Sequence, residues 1–200
     1  SGAQEDVAYS TRVIKDSARR ASALIKDLLA WSRITNRTLD RQPLPLATVV
    51  REIVGDVLAA RPQEAVELID EMADLTVDAD AIQVRQLAEN LLVNALKYRS
   101  PERALRLVLR LKRVGKRSAT LEIEDNGIGF DPLYARQIFE PFRRLHSERE
   151  YSGTGVGLAI CARVCEHHGW TIDAIGRPGQ GATFRVHLTL GPGAAATADA

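Results

Sequence analysis

Residues 86–98 read QLAENLLVNALKY, and the placing of polar groups in that run decides how the whole chain is read. Leu87, Leu91, Leu92 and Leu96 recur at helical spacing and give the segment a dry face. Asn90 and Asn94 stand four apart and so share another side, with Lys97 one turn further on. An Asn amide offers a neutral oxygen to Mg²⁺, and a Lys ammonium is a point charge for phosphate. Read alone, the pattern fits a solvated face equally well. The decision therefore rests on what the rest of the chain brings to it.

Three later segments bear on that choice. Asp125-Asn126-Gly127-Ile128-Gly129 follows directly on an alternating strand pattern at 121–124. A carboxylate at a strand end can accept from an exocyclic amine, while Gly127 and Gly129 let the backbone turn sharply and a flat ring lie against it. Gly153-Thr154-Gly155-Val156-Gly157-Leu158 opens a helix, where free N–H groups and the helix dipole favour phosphate. The spacing G-x-G-x-G is neither a Walker loop nor a dinucleotide fingerprint. Gly179-Gln180-Gly181-Ala182-Thr183-Phe184 is a tight turn into a strand, and by itself ordinary hairpin chemistry that can place the Thr183 hydroxyl near a base.

Around these segments the chain divides in two. Residues 5–34 read as one long helix with Val7, Ile14, Ala21 and Leu28 every seven residues, a stripe too narrow to stand alone. Residues 35–46 hold two prolines and no periodicity, and read as a linker. From residue 47 the pattern is mixed α/β. Helices are expected at 47–60, from Asp78 or Asp80 to about 98, and at 156–168, the last ended by Gly169. Strands are expected at 65–69, at 105–114 and 119–124 as a hairpin turning at Gly115, and at 170–175 and 182–190. Residues 126–152 show little period beyond one turn near 135–139, and 191–200 read as a disordered tail.

Composition closes off other classes. Among 200 residues, 27 basic against 26 acidic leave a net charge of +1, with no push toward nucleic acid. No apolar run approaches the roughly 18 residues of a membrane span, and no signal peptide opens the chain. Cys161 and Cys165, four apart on one helix, read as small core residues, which fits a reducing cytoplasm. Ser1-Gly2 reads as an expression scar.

Taken in order, these motifs resemble those of sensor histidine kinases. QLAENLLVNALKY looks like their N box, DNGIGF at 125–130 their G1 box, FEPFRRLH at 139–146 their F box, GTGVGLAI at 153–160 their G2 box, and GQGATF at 179–184 their G3 motif. The phrasing NALKYRSPE and RLHSEREYSGTGVGLAI is similar to phytochrome-like kinases, and RRASALIKDLLAWSRI at 19–34 resembles the second helix of their dimerisation and phosphoacceptor domain. The resemblance implies an α/β two-layer sandwich with a mixed sheet, the Bergerat or GHKL fold, preceded by a long α-helix. The domains would be a partial dimerisation helix at 1–34, a linker at 35–46, an ATP-binding catalytic domain at 47–190 and the tail at 191–200. It further implies ATP and Mg²⁺ as cofactors. Asp125 would read the adenine amine with help from Thr183, Asn94 would ligate Mg²⁺, and Asn90 and Lys97 would face the phosphates. Tyr98 would sit at the nucleotide edge, and the run from Gly153 to Leu158 would lie along the triphosphate. Phe139 and Phe142 would anchor a lid at 130–152, with Arg144 reaching the γ-phosphate during transfer. Related ATPases of this fold place a Glu four residues before the Mg²⁺-binding Asn to activate water. Here that slot is Asn90, and Glu89 is turned about 100° away.

One element of the resemblance is missing. No histidine precedes His146, and none of His146, His167, His168 and His187 occupies a phosphoacceptor context. Either the acceptor helix lies upstream of this stretch, or ATP binding serves as a conformational signal. The expected partners are a response regulator receiver domain in the intact system and a second copy through helix 5–34, with no nucleic acid and no membrane in this segment.

Overall fold

The computed structural model describes residues 38–63, 65–145, 151 and 153–191, together with scattered positions between 11 and 34. Those scattered positions are helical. Ile14, Ile25, Leu28 and Leu29 there are half or more exposed, while Ile34 enters the core and Trp31 packs against it. Among the described residues the apolar stripe is thus largely uncovered except at its end. Val7, the lid histidine His146 and the tail from residue 192 lie outside the described residues.

Ten regular elements follow. They are β1 (Gln42–Pro45), α1 (Leu46–Ala59), β2 (Val66–Met72), β3 (Thr76–Ala79), α2 (Ala81–Lys97), β4 (Leu105–Arg113), β5 (Ser118–Asp125), α3 (Gly157–His168), β6 (Thr171–Arg177) and β7 (Gly181–Thr189). Five strands form a mixed sheet in the order β2-β4-β5-β7-β6, with β2 and β4 parallel and the other pairs antiparallel. Alternate strand residues, such as Leu107, Leu109 and Leu111 or Leu121 and Ile123, are 2% exposed or less and join one cluster with the helix residues. The helices therefore form a second layer on one face of the sheet, the sandwich expected from the motifs.

The opposite face carries a charged row among other residues such as Ile69, Val108 and Ile175. The row runs Glu71, Arg110, Glu122, Arg185, Asp173 across all five strands, alternating in sign at every step. Alternating signs on directly opposed residues are favourable, whereas like charges there would repel.

Two strands lie outside the sequence expectation. Gln42–Pro45, within the stretch read as linker, pairs antiparallel with Thr76–Ala79. The two prolines hid it: Pro43 and Pro45 fall on alternate positions of a short two-stranded edge, where a missing N–H is tolerated. The loop at 126–152 holds two single-turn 3-10 helices, at Pro132–Tyr134 and Gln137–Phe139, and the second is the turn the sequence suggested.

The sequence left two candidates for the cap of α2. Asp80 takes the role: its carboxylate accepts from the N–H groups of Ile82 and Gln83 at 3.0 and 3.2 Å. The same side chain, 2% exposed, also accepts from the N–H of Asp40 at 3.2 Å. Its own N–H donates to Nε2 of His168 at 3.1 Å, and Arg41 donates to the His168 carbonyl at 3.0 Å. Nδ1 of His168 lies 2.9 Å from the carbonyl of Val164, which can only accept. One tautomer satisfies both contacts: a neutral ring protonated on Nδ1. Desolvation by burial accordingly holds the His168 pKa below its ordinary value. The chain before β1, the start of α2 and the end of α3 are thus tied at one junction.

Replacing Asp80 removes a helix cap and strands the Asp40 amide. Asp80→Ala should cost about 2–3 kcal/mol in urea unfolding, and a loss below about 0.5 kcal/mol would deny the junction its role. For His168 the sign is that of a depressed base. Its contribution is complete above the ordinary histidine pKa of about 6.5 and fades as pH falls below it, because the unfolded chain takes the proton first.

Candidate active site

A cleft opens where α2, α3, the end of β5, the start of β7 and the segment after β5 meet. Asn94, Tyr98, Asp125, Gly129, Arg144 and Leu158 line it, all named from sequence. Phe130, Ile138, Arg143, Leu145, Ala182 and Phe184 complete the lining. The lining is mostly apolar with a few polar groups, the composition of a small-molecule site.

Asp125 ends β5 at 8% exposed. Its Oδ1 accepts from the N–H of Gly127 at 2.8 Å and of Ala182 at 3.3 Å. Both donors are spent on one oxygen, which leaves the other for the cleft. Desolvation by burial pushes its pKa up to about 6; the two backbone N–H groups pull the other way and Glu124 adds a little repulsion. The loops around it are closely seated. Gly181 has φ 111°, and a Cβ there would overlap the Asp125 carbonyl. Only glycine lets these backbones meet.

Asn90 and Lys97 stand beside the cleft, against the glycine-rich entry to α3. A Cβ on Gly157 would lie 3.2 Å from Oδ1 of Asn90, and one on Gly153 would lie 2.5 Å from Nζ of Lys97. Nδ2 of Asn90 is buried with no hydrogen-bond partner, the one such side-chain atom among the described residues. A buried N–H donor without an acceptor is costly, and its position suits a site that an anionic ligand completes. Gly155 and Val156 lie on the same entry. The Gly155 carbonyl accepts from the N–H of Phe142 at 3.0 Å, and Val156 is 2% exposed at the start of α3. Thr154 Oγ1 accepts from the N–H of Val156 at 3.4 Å. Gly127 is held under Tyr98, whose carbonyl also accepts from the N–H of Ile128 at 2.9 Å.

Thr183 does not reach the cleft. The pleat turns Ala182 and Phe184 inward, so Thr183 stands on the charged face with Arg185 and His187. What this stretch of β7 gives the site is the Ala182 N–H on Asp125. The two phenylalanines read as lid anchors also part company. Phe139 packs edge-on against Phe184 with ring centroids 6.5 Å apart, whereas Phe142 is 56% exposed at φ 63° and is held through its backbone. Arg144 donates to the carbonyl of Tyr151 at 2.8 Å, and the Tyr151 ring lies 5.0 Å from that of Tyr98. Glu89 pairs with Arg85 at 3.8 Å, is 40% exposed and does not line the cleft.

A folded-state pKa raised from 3.8 to about 6 means that the protonated form of Asp125 favours folding. That contribution is complete below the unfolded value and lost as pH rises through about 6. Above it, the ligand-free chain carries a penalty of about 3 kcal/mol. Asp125→Asn keeps an oxygen for Gly127 and Ala182 and removes the charge. The variant should therefore melt higher than the parent at about pH 7.5, with the gain shrinking toward about pH 5. An equal or lower melting point at both pH values would contradict the burial argument.

Comparison with known proteins bears on the same region. The chain is 36% identical over 168 residues to cyanobacterial phytochrome A of Nostoc sp., covering 84% of this chain and 22% of that protein. It is 30% identical over 191 residues to the probable sensor histidine kinase TcrY of Mycobacterium tuberculosis, covering 93% of this chain and 39% of that protein. The chain thus spans well under half the length of either. Among solved structures, full-length ShkA in complex with AMPPNP superposes with a TM-score of 0.76 at 24% identity, over 96% of this chain and 40% of that one, a likeness of fold. The family described as histidine kinase-, DNA gyrase B- and HSP90-like ATPases matches residues 79–192, the segment that holds Asp80, the cleft and both glycine-rich loops. With more than half of its length inside that match, the chain belongs to this ATPase family.

Proposed function

We propose that this chain is the catalytic part of a two-component sensor histidine kinase. It binds ATP in the cleft and transfers the γ-phosphate to a histidine that the chain itself does not contain. One observation carries the reading. A buried carboxylate and Asn94 line one cleft, Asn90 and Lys97 stand beside it against the glycine-opened helix, and among the described residues no second carboxylate lines it.

Each group has a task in that reading. Asp125 accepts from the adenine amine with the oxygen its backbone donors leave over. The unpartnered Nδ2 of Asn90, the Lys97 ammonium and the N–H groups at the start of α3 meet phosphate oxygens. Asn94 would hold Mg²⁺, which when bound neutralises charge on the phosphates. Arg144, released from Tyr151, turns toward the transferred group. An imidazole nitrogen forms the new bond to phosphorus as the bond to the ADP oxygen breaks, and positioning and charge supply most of the acceleration. The choice of transfer over hydrolysis follows from the slot at Asn90. A carboxylate there would serve as general base, while Glu89 is engaged with Arg85 outside the cleft.

The described histidines fit this division of labour, because each is otherwise committed. His167 meets Gln83 at 3.3 Å, His168 is fixed at the Asp80 junction, and His187 bonds Asp173 on the charged face. The uncovered stripe on the helix before residue 35 suits a partner helix, from a second copy or from the phosphoacceptor hairpin. A response regulator receiver domain would take the phosphate onward.

Transfer is read directly with γ-labelled ATP, Mg²⁺ and a separately supplied histidine-bearing hairpin. The hairpin should become labelled with acid-labile phosphate, this chain should not, and chelation of Mg²⁺ should stop the reaction. Asp125→Asn should weaken ATP binding by about 1–3 kcal/mol in a folded protein. Label on the chain itself would refute the missing-acceptor reading. Bound ATP without transfer to any acceptor hairpin would favour a regulatory module instead.

A further inference from the structure

Arg103 lies in the turn between α2 and β4, outside every motif that marks the family. Its guanidinium nonetheless spans two loops of the cleft. Nε donates to the carbonyl of Asn126 at 2.8 Å, and Nη2 donates to the carbonyls of Gly127 at 3.0 Å and Gly179 at 2.6 Å. Gly127 belongs to the loop after β5, and Gly179 to the turn between β6 and β7. The residues next to it bind the same loop: the Asn126 side chain accepts from the N–H of Arg106 at 2.8 Å and donates to the carbonyl of Ala104 at 3.0 Å.

The peptide units involved give these contacts a consequence. The unit between Asn126 and Gly127 has two ends. Its carbonyl is held by Arg103, and its N–H is the 2.8 Å donor to Oδ1 of Asp125. The next unit is held the same way: the Gly127 carbonyl meets Arg103, and the Ile128 N–H meets the Tyr98 carbonyl at 2.9 Å. Across the gap, the Gly179 N–H donates to the Ile128 carbonyl at 2.7 Å, while the Gly179 carbonyl meets Arg103. One planar fork thus closes both loops from behind, and a cation at a carbonyl strengthens the N–H at the other end of that peptide. Glycines flank the loop and do not fix its peptide planes by themselves. An ammonium cannot reproduce three donors in a fixed plane.

We infer that Arg103 is a positioning residue for base recognition: by fixing the Asn126–Gly127 peptide and the Gly179 turn, it aims the Asp125 carboxylate at the exocyclic amine of adenine. The inference rests on the reading of the cleft as an ATP site. It predicts a loss that depends on that amine. Nucleotides that share ribose and phosphates but lack the amine should be almost indifferent to Arg103.

The test measures binding of an ATP analogue and of the corresponding inosine triphosphate analogue, with Mg²⁺, to the parent chain, Arg103→Lys and Arg103→Ala. Thermal melting checks that each variant is folded. The parent should prefer the adenine nucleotide. Both variants should lose about tenfold in adenine affinity while the inosine nucleotide shifts by less than about twofold, so that discrimination collapses. Arg103→Lys should resemble Arg103→Ala and fail to rescue. Unchanged adenine affinity in the folded variants would overturn the inference. So would a parallel loss for both nucleotides, which would mark Arg103 as merely structural. A parent chain that binds neither nucleotide would instead refute the ATP-site reading, and this inference with it.

Discussion

The structure is organised around a carboxylate that it keeps out of water and, among the described residues, gives no cation. Asp125 is 8% exposed, and its stabilisation comes from two backbone N–H groups on a single oxygen. That arrangement leaves the acid half-neutral near pH 6 and costs the ligand-free fold stability. A group kept at such a cost points to a use in which the cost is recovered, and a donor arriving with a ligand supplies it. The tight seating of Gly181, the inward Ala182 N–H and the fork of Arg103 all serve the same oxygen.

The rest of the domain positions that carboxylate against a phosphate end. Helices α2 and α3 lie side by side, with Asn90 beside Gly157 at the cleft and Asp80 joined to His168 at the far end. Each helix thus has one end at the site and the other at the junction with the chain before β1. The link is made of buried and part-buried hydrogen bonds, so a displacement of Asp40 and Arg41 bears on both helices together. The charged row on the sheet's other face has a different role, keeping a broad face of strands wet and unattractive to stray edges.

Much of this was legible in the sequence, for a physical reason. Where a function needs a residue type at a helical or strand spacing, the spacing survives as text. The helix that carries Asn90, Asn94 and Lys97, the carboxylate at the end of β5 and the Gly169 stop stand where the spacing put them, with Asn94 and Asp125 on the cleft itself. Readings failed where the text is silent about direction. Thr183 was placed at the site by the resemblance of GQGATF to a family motif, yet the two-residue period of the strand turns it outward and Ala182 inward. Gln42–Pro45 was masked by prolines that suit a two-stranded edge. Ile138, Leu145 and Phe184 carry no polar signature and reach the cleft only through tertiary packing. Arg103 was invisible because its partners are carbonyl groups, which every residue has.

Asp125 is a buried acid with one oxygen satisfied by backbone donors and the other open to a ligand's donor. Carbon-13 NMR titration of its side-chain carboxyl, in the free chain and with ADP bound, measures this at the atom concerned. The midpoint should lie near 6 in the free chain and fall toward the ordinary carboxylate range when the adenine amine engages it. A midpoint near 3.8 in the free chain, unmoved by nucleotide, would contradict it.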